Sequence, residues 1–359
     1  QPILWQTPFS QHPFLFHIQL PHHLDTLSKV IHILAKASLE KSKPKKGKRT
    51  MKFLTTVSLL IGVTHTSALT TPHSTRVALK GLDEFQFRHP LDRDLTSRIQ
   101  AAPFSKFGVQ GLRNGFSVVE EGLRLDLLSK SVKVSEKQLP NFQELLVEAC
   151  QVLDFDQEDK PMPQLYVQSS TQANAFTLAS RGKSSAPIVV VTSALLDQCT
   201  ESEVQAIIGH ELGHLKCEHS LYFTLGSLAS TPIRALPFVG SRIDSLQQEW
   251  RLAAEYTCDR AALLVAQDLK VVTSGLVKLF AGTTKYSIDT DAFMAQCVEY
   301  DELLKSANPL VRMNIRNQQR THPLPVQRVA ELQKWAESDE YDRILKNGQE
   351  IGTIQNKSS

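Results

Sequence analysis

Cysteine is sparse in this sequence, and it is not arranged for metal binding or cross-linking. Cys150, Cys199, Cys217, Cys258 and Cys297 are odd in number and contain no CxxC pair. That excludes a disulfide framework and a cysteine zinc knuckle, and it fits a reducing compartment with thiols buried as small apolar groups. Charge of one sign is lacking too: 40 Lys and Arg against 37 Asp and Glu leave a net of +3. So small an excess gives no support for a nucleic-acid partner. Much of it sits in one run, Lys41–Arg49, whose composition suits a solvated tail. A convincing bilayer span is missing as well. The apolar run Phe53–Val63 is shorter than the ~20 residues a spanning helix needs. Leu221–Gly240 carries Pro232, Arg234 and Pro237, which predicts a buried helix followed by a loop. What remains is ordinary for a globular protein, 41% apolar and 21% charged, and 359 residues are enough for one large domain.

The front of the chain reads as processing signal. Residues 1–50 have no clear period and are expected to be an upstream, disordered segment. Met51 looks like a start. Lys52, the apolar run and Thr66-Ser67-Ala68 follow it, and together they describe a secretory signal peptide over 51–68. Residues 69–82 begin with a stretch rich in hydroxyl and basic side chains and free of acids through Lys80, which is transit-peptide composition. The expected destination is a plastid reached by a signal-plus-transit address, with the secretory pathway or a membrane-associated location as the alternative. The folded domain is expected over 83–347 and a disordered tail over 348–359.

Within that domain the apolar spacing is mainly helical. Leu123–Leu128 and Leu139–Leu153 have helical periodicity, and Pro140 suits a first turn. The period then changes: Gln164–Gln168, Ala175–Leu178 and Pro187–Thr192 are short, β-branched or aromatic, and predict three strands. Arg181–Ser185 supplies a hairpin-like turn between the last two. From Ser193 to about Asn347 helix returns, with no internal repeat or low-complexity tract. The fold class is therefore α+β, a mainly helical domain with a small mixed sheet beside its key helix.

That helix carries the chemistry. Thr200 with Glu203 makes a capping box, so a helix should begin there. His210 and His214 follow on it, four residues apart. Four residues turn a helix by ~400° and rise ~6 Å, so both imidazoles project from one face, one turn apart. This is the spacing that lets two nitrogens share one Zn²⁺, with Glu211 placed to act on a water without binding the metal. Apolar neighbours and the adjacent Gly209 and Gly213 suggest an interior helix, where an unexplained His-Glu-His cluster would be costly.

A third ligand must come from elsewhere. His219 stands five residues past His214 and is rotated ~140° off that face, so a surface or supporting role is expected for it. Glu249–Leu264 has the period of a second helix, on which Glu255 and Asp259 stand one turn apart. Glu255 would complete a His₂Glu site with an open position, and Asp259 would accept the remaining N–H of a ligand histidine.

HELGH at 210–214, Glu255-Tyr-Thr-Cys-Asp259-Arg-Ala and Thr321-His322-Pro-Leu-Pro-Val-Gln-Arg328, together with Asn174-Ala175-Phe176, resemble the zinc peptidases of the HtpX, CAAX-prenyl-protease and Oma type. The likeness spans roughly residues 85 to 345, and within that group it is greatest to the soluble plastid members of plants and algae. It implies a gluzincin-like zincin domain and an endopeptidase acting on protein or peptide substrates. It implies one Zn²⁺ per chain on His210, His214 and Glu255, with Glu211 as general base and acid. It also implies that Asn174, Ala175 and Phe176 lie beside the substrate, and that His322 and Arg328 sit at the rim of the site and assist catalysis. Peripheral membrane association is compatible with this likeness. A zinc-bearing scaffold that binds peptides without cutting them is the alternative, although Glu211 would have no use in it.

Overall fold

The computed structural model describes residues 76–350, apart from 104, 116, 156–160, 179–185, 235–238, 283–287 and 319–321. In chain order its elements are β1 (Val77–Ala78), α1 (Pro90–Ala101), α2 (Ser105–Gly115), α3 (Ser117–Lys130), β2 (Ser131–Lys133), α4 (Pro140–Val152), β3 (Gln164–Gln168), β4 (Ala175–Leu178) and β5 (Ile188–Thr192). There follow α5 (Ser193–Gln198), α6 (Glu201–Lys216), α7 (His219–Arg234), α8 (Val239–Ala266), α9 (Leu269–Ala281), α10 (Thr290–Ser306), α11 (Pro309–Gln318), α12 (Pro325–Ala336), α13 (Asp339–Lys346) and β6 (Gln349–Glu350). The molecule is mostly helical with a small mixed sheet, as the spacing predicts.

The sheet has the order β2-β3-β5-β4, with β3 and β5 parallel and the outer pairs antiparallel. Ile188–Thr192 is buried along its whole length, as a β-branched run in a central strand should be. The three predicted strands are present. The fourth, β2, is only three residues long and has no alternation to betray it. The turn at 181–185 lies outside the described residues. Val77–Ala78 pairs with Gln349–Glu350 in a separate ribbon, so ordered pairing lies just outside the 83–347 span. Among the described residues no helix is long and apolar enough to cross a membrane.

The main core gathers apolar side chains from the sheet, α4, α6, α8 and α9. At its centre α6 and α8 lie nearly in backbone contact. A Cβ on Gly209 would come within 2.8 Å of Val265 Cβ, and one on Gly213 within 2.8 Å of Ala261 Cβ and 3.2 Å of Cys258 Cα. Only glycine allows that approach at both positions. The α6 N-terminus is held by its capping box: Thr200 Oγ1 accepts from Glu203 N at 3.3 Å, and Glu203 Oε2 accepts from Thr200 N at 2.7 Å. The same Glu203 accepts from Lys278 Nζ and Ser274 Oγ on α9, which fixes α6 against that helix.

Candidate active site

The two glycines determine what meets what. His210 and His214 project from α6 toward the stretch of α8 that carries Glu255 and Asp259, and all four side chains are buried. Glu255 spans both imidazoles: its Oε2 lies 3.6 Å from His210 Nε2 and its Oε1 3.5 Å from His214 Nε2. Ligand atoms sharing a tetrahedral zinc at 2.0–2.1 Å would stand ~3.3 Å from one another. Each Nε2 is within a few tenths of an ångström of that spacing from its own carboxylate oxygen, and two imidazoles with a carboxylate are a donor set whose chemistry suits the ion.

Cys258 also belongs to the neighbourhood, because His210, His214 and Cys258 offer donor atoms within 4.8 Å of one another. Glu255 is the buried carboxylate that faces both imidazoles. The Cys258 sulfur lies 3.6 Å from His219 Nδ1, and burial pushes its thiol well above the usual range. Burial alone would raise the Glu255 carboxyl, but His322 and His210 overcome it and hold the group well below the usual carboxylate range.

Each of the two imidazoles has a partner on its Nδ1 side. His210 Nδ1 lies 3.1 Å from Asp259 Oδ1, the contact expected from the one-turn spacing of Glu255 and Asp259. Burial works to depress the His210 imidazolium, but hydrogen bonds to Asp259 and Glu255 overcome it and raise the group to about 9. A cation at Nε2 would displace that proton, as ligand binding by histidine requires. His214, which has less compensation, is held well below the ordinary range by its burial.

Glu211 is also buried, and burial raises its carboxyl to about 7. A carboxyl poised there can gain and lose a proton near neutrality, as a general base must. His322 is the more open member of the group, its side chain 19% exposed, with Nδ1 2.9 Å from Glu255 Oε2.

Arg328 departs from its expected place. Instead of standing at the rim it is buried, with Nε and Nη2 donating to Asp259 Oδ2 at 2.8 Å and Oδ1 at 2.5 Å. The α12 backbone carries it inward beside the apolar Val329, and the fork of the guanidinium satisfies the buried carboxylate with two parallel bonds. It acts on Asp259, behind His210. Of the two places expected for His219, the structure excludes the surface: it is 1% exposed, and its Nδ1 is 3.0 Å from His214 Nδ1. Sequence reading also assigns Asp92 no role, although it is fully buried beside His219. Asp92 stands two residues before Asp94 in an unremarkable amphipathic stretch, and spacing along the chain cannot reveal such a partner.

Asn174 leads into β4, where its N–H donates to Thr192 Oγ1 at 2.8 Å and its carbonyl accepts from Thr192 N at 2.9 Å. Ala175 is buried and Phe176 partly so. β4 is the terminal strand of the sheet among the described residues, and α6 packs against it.

The profile of Peptidase family M48 matches residues 136–336. The chain is 39% identical over 283 residues to the plastoglobule-localized metallopeptidase 48, chloroplastic, of Arabidopsis thaliana, covering 77% of this chain and 79% of that protein. It is 23% identical over 235 residues to a protease HtpX homolog of Ralstonia pickettii, covering 58% and 78% of the two. A crystal structure of S. mikatae Ste24p matches with a TM-score of 0.33 at 13% identity, over 67% of this chain and 60% of that one.

Proposed function

The chain belongs to peptidase family M48, and from that membership we propose that it is a zinc-dependent metalloendopeptidase with one Zn²⁺ per chain on His210, His214 and Glu255. The observation that carries this reading is the pair of Nε2 atoms facing opposite oxygens of one buried carboxylate, at 3.6 and 3.5 Å. When bound there, zinc supplies Lewis-acid polarisation of the attacking water and of the scissile carbonyl.

The residues of the chain do the rest. Glu211 takes the proton of the water and hands it to the leaving amine, a round trip suited to a buried carboxyl beside the imidazoles that does not itself bind the metal. His322, oriented through Nδ1 by Glu255, is the candidate donor to the developing oxyanion. Arg328 serves as a positioning residue, keeping Asp259 ionised and aimed at His210. An extended peptide would add to the edge of β4 along Asn174, Ala175 and Phe176, which favours recognition of backbone over sequence.

Protein or peptide substrates follow from this reading, and nucleic acid does not. A plastid location is supported by the composition of residues 51–82 and by the chloroplastic relative. Peripheral contact with a lipid surface is compatible with it. The test is cleavage of unfolded casein or an internally quenched peptide by the purified chain. Cleavage should stop on chelation and return with Zn²⁺, and Glu211→Gln should be inactive while retaining zinc. A zinc-loaded wild-type chain that binds peptides and cuts none would establish the scaffold alternative.

A further inference from the structure

Behind His214 runs a second hydrogen-bonded line that the catalytic reading does not use. His214 Nδ1 lies 3.0 Å from His219 Nδ1, and His219 Nε2 lies 3.1 Å from Asp92 Oδ2. Asp92 comes from α1, 127 positions before His219, and both side chains are buried. We infer that Asp92 and His219 form a proton-tautomer relay that fixes His214 as a metal ligand, making both of them positioning residues of the site. The inference rests on the reading of His214 as a ligand through Nε2.

The argument is a count of protons and lone pairs. Ligation through Nε2 leaves the ring proton of His214 on Nδ1. The Nδ1–Nδ1 contact can hold one proton, so His214 donates and His219 accepts. A neutral His219 that accepts at Nδ1 carries its own proton on Nε2, facing the Asp92 carboxylate. Asp92 can only accept there, because every other partner it has is a donor. Arg88 Nη1 donates at 3.0 Å, Thr96 Oγ1 at 3.2 Å, Trp250 Nε1 at 3.0 Å and Thr257 Oγ1 at 2.8 Å. Even the Cys258 thiol, 3.6 Å from His219 Nδ1, is placed to donate to the same accepting nitrogen. With His214 ligated through Nε2 and His219 neutral, one orientation of protons satisfies the line from Asp92 to His214.

The same residues tie α1 to three other helices. Trp250 and Thr257 reach Asp92 from α8, Arg88 also donates to Cys217 O at 2.6 Å just past α6, and His219 opens α7. The ligand histidine is thus held in both rotation and tautomer, as ordered partners of metal-bound imidazoles generally do.

Substitution of His219 separates the relay from mere packing. Glutamine can accept from His214 through its carbonyl and donate to Asp92 through its amide, whereas leucine fills space and does neither. Zinc affinity of the full chain, measured by competition with a chelator, should fall ~10–100-fold in His219→Leu and stay within a few-fold of wild type in His219→Gln. Nitrogen-15 histidine spectra of the zinc-loaded wild-type chain should show His219 as the neutral Nε2–H tautomer. Equal zinc affinity in the leucine variant, or a His219 proton on Nδ1, would overturn the relay while leaving zinc binding intact. A wild-type chain that fails to hold one zinc would overturn the ligand reading and the relay with it.

Discussion

Gly213 and Cys258 meet so closely that a methyl group on the glycine would lie 3.2 Å from the Cα of the cysteine. The contact puts α6 and α8 at the distance at which side chains of α8 reach the imidazoles of α6. Glycine in mid-helix is intrinsically unfavourable by ~1 kcal/mol relative to alanine. Here the added methyl meets backbone and must push two helices apart, and overpacking of this kind costs about 1–3 kcal/mol. Gly213→Ala is therefore expected to lower stability and weaken zinc retention together. Urea unfolding with zinc analysis checks this, and a stabilised variant with full zinc would show that the approach is not needed.

The pH dependence follows from Glu211. Its working form is the carboxylate, so kcat/KM should be lost as pH falls through its pKa in the free enzyme. Burial raises that pKa to about 7 in the metal-free site, and a cation nearby lowers it again. The acid limb should lie between the ordinary glutamate value of ~4.3 and about 7, with unit slope. A pH–rate profile flat across that interval would remove Glu211 as the base.

His322 and Arg328 should separate cleanly. His322→Phe is expected to reduce kcat by about 10²–10³-fold, the usual effect of losing one oxyanion donor, with zinc retained. Steady-state kinetics with metal analysis checks it, and unchanged kcat would rule out the donor role.

Arg328→Met leaves the buried Asp259 carboxylate without its two-pronged partner. Breaking a buried pair in this way costs about 3–5 kcal/mol, so the variant should unfold at markedly lower urea. An arginine that acted only at the rim would leave the unfolding midpoint where it was.

Local features were legible in the sequence. The capping box at Thr200 and Glu203, the one-turn spacing of His210 and His214, and that of Glu255 and Asp259 are each set within a few residues, and each appears as spacing predicts. What depends on distant chain segments was not legible. Nothing near Asp92 announces a histidine 127 positions away, and nothing near Arg328 says that α12 turns it inward. The strand β2 was missed because three residues cannot display a period. The upstream half of α8 falls in a stretch expected to be helical, but nothing marks its start, because much of Val239–Glu249 is solvent-facing and carries little apolar stripe.

X-ray absorption at the zinc edge of the purified, zinc-loaded chain tests the central assignment most directly. With His210, His214 and Glu255 as ligands, the nearest shell should contain only nitrogen and oxygen at ~2.0–2.2 Å, with the outer scattering of two imidazoles. A sulfur shell at ~2.3 Å would put Cys258 on the metal in place of Glu255, and would contradict the assignment.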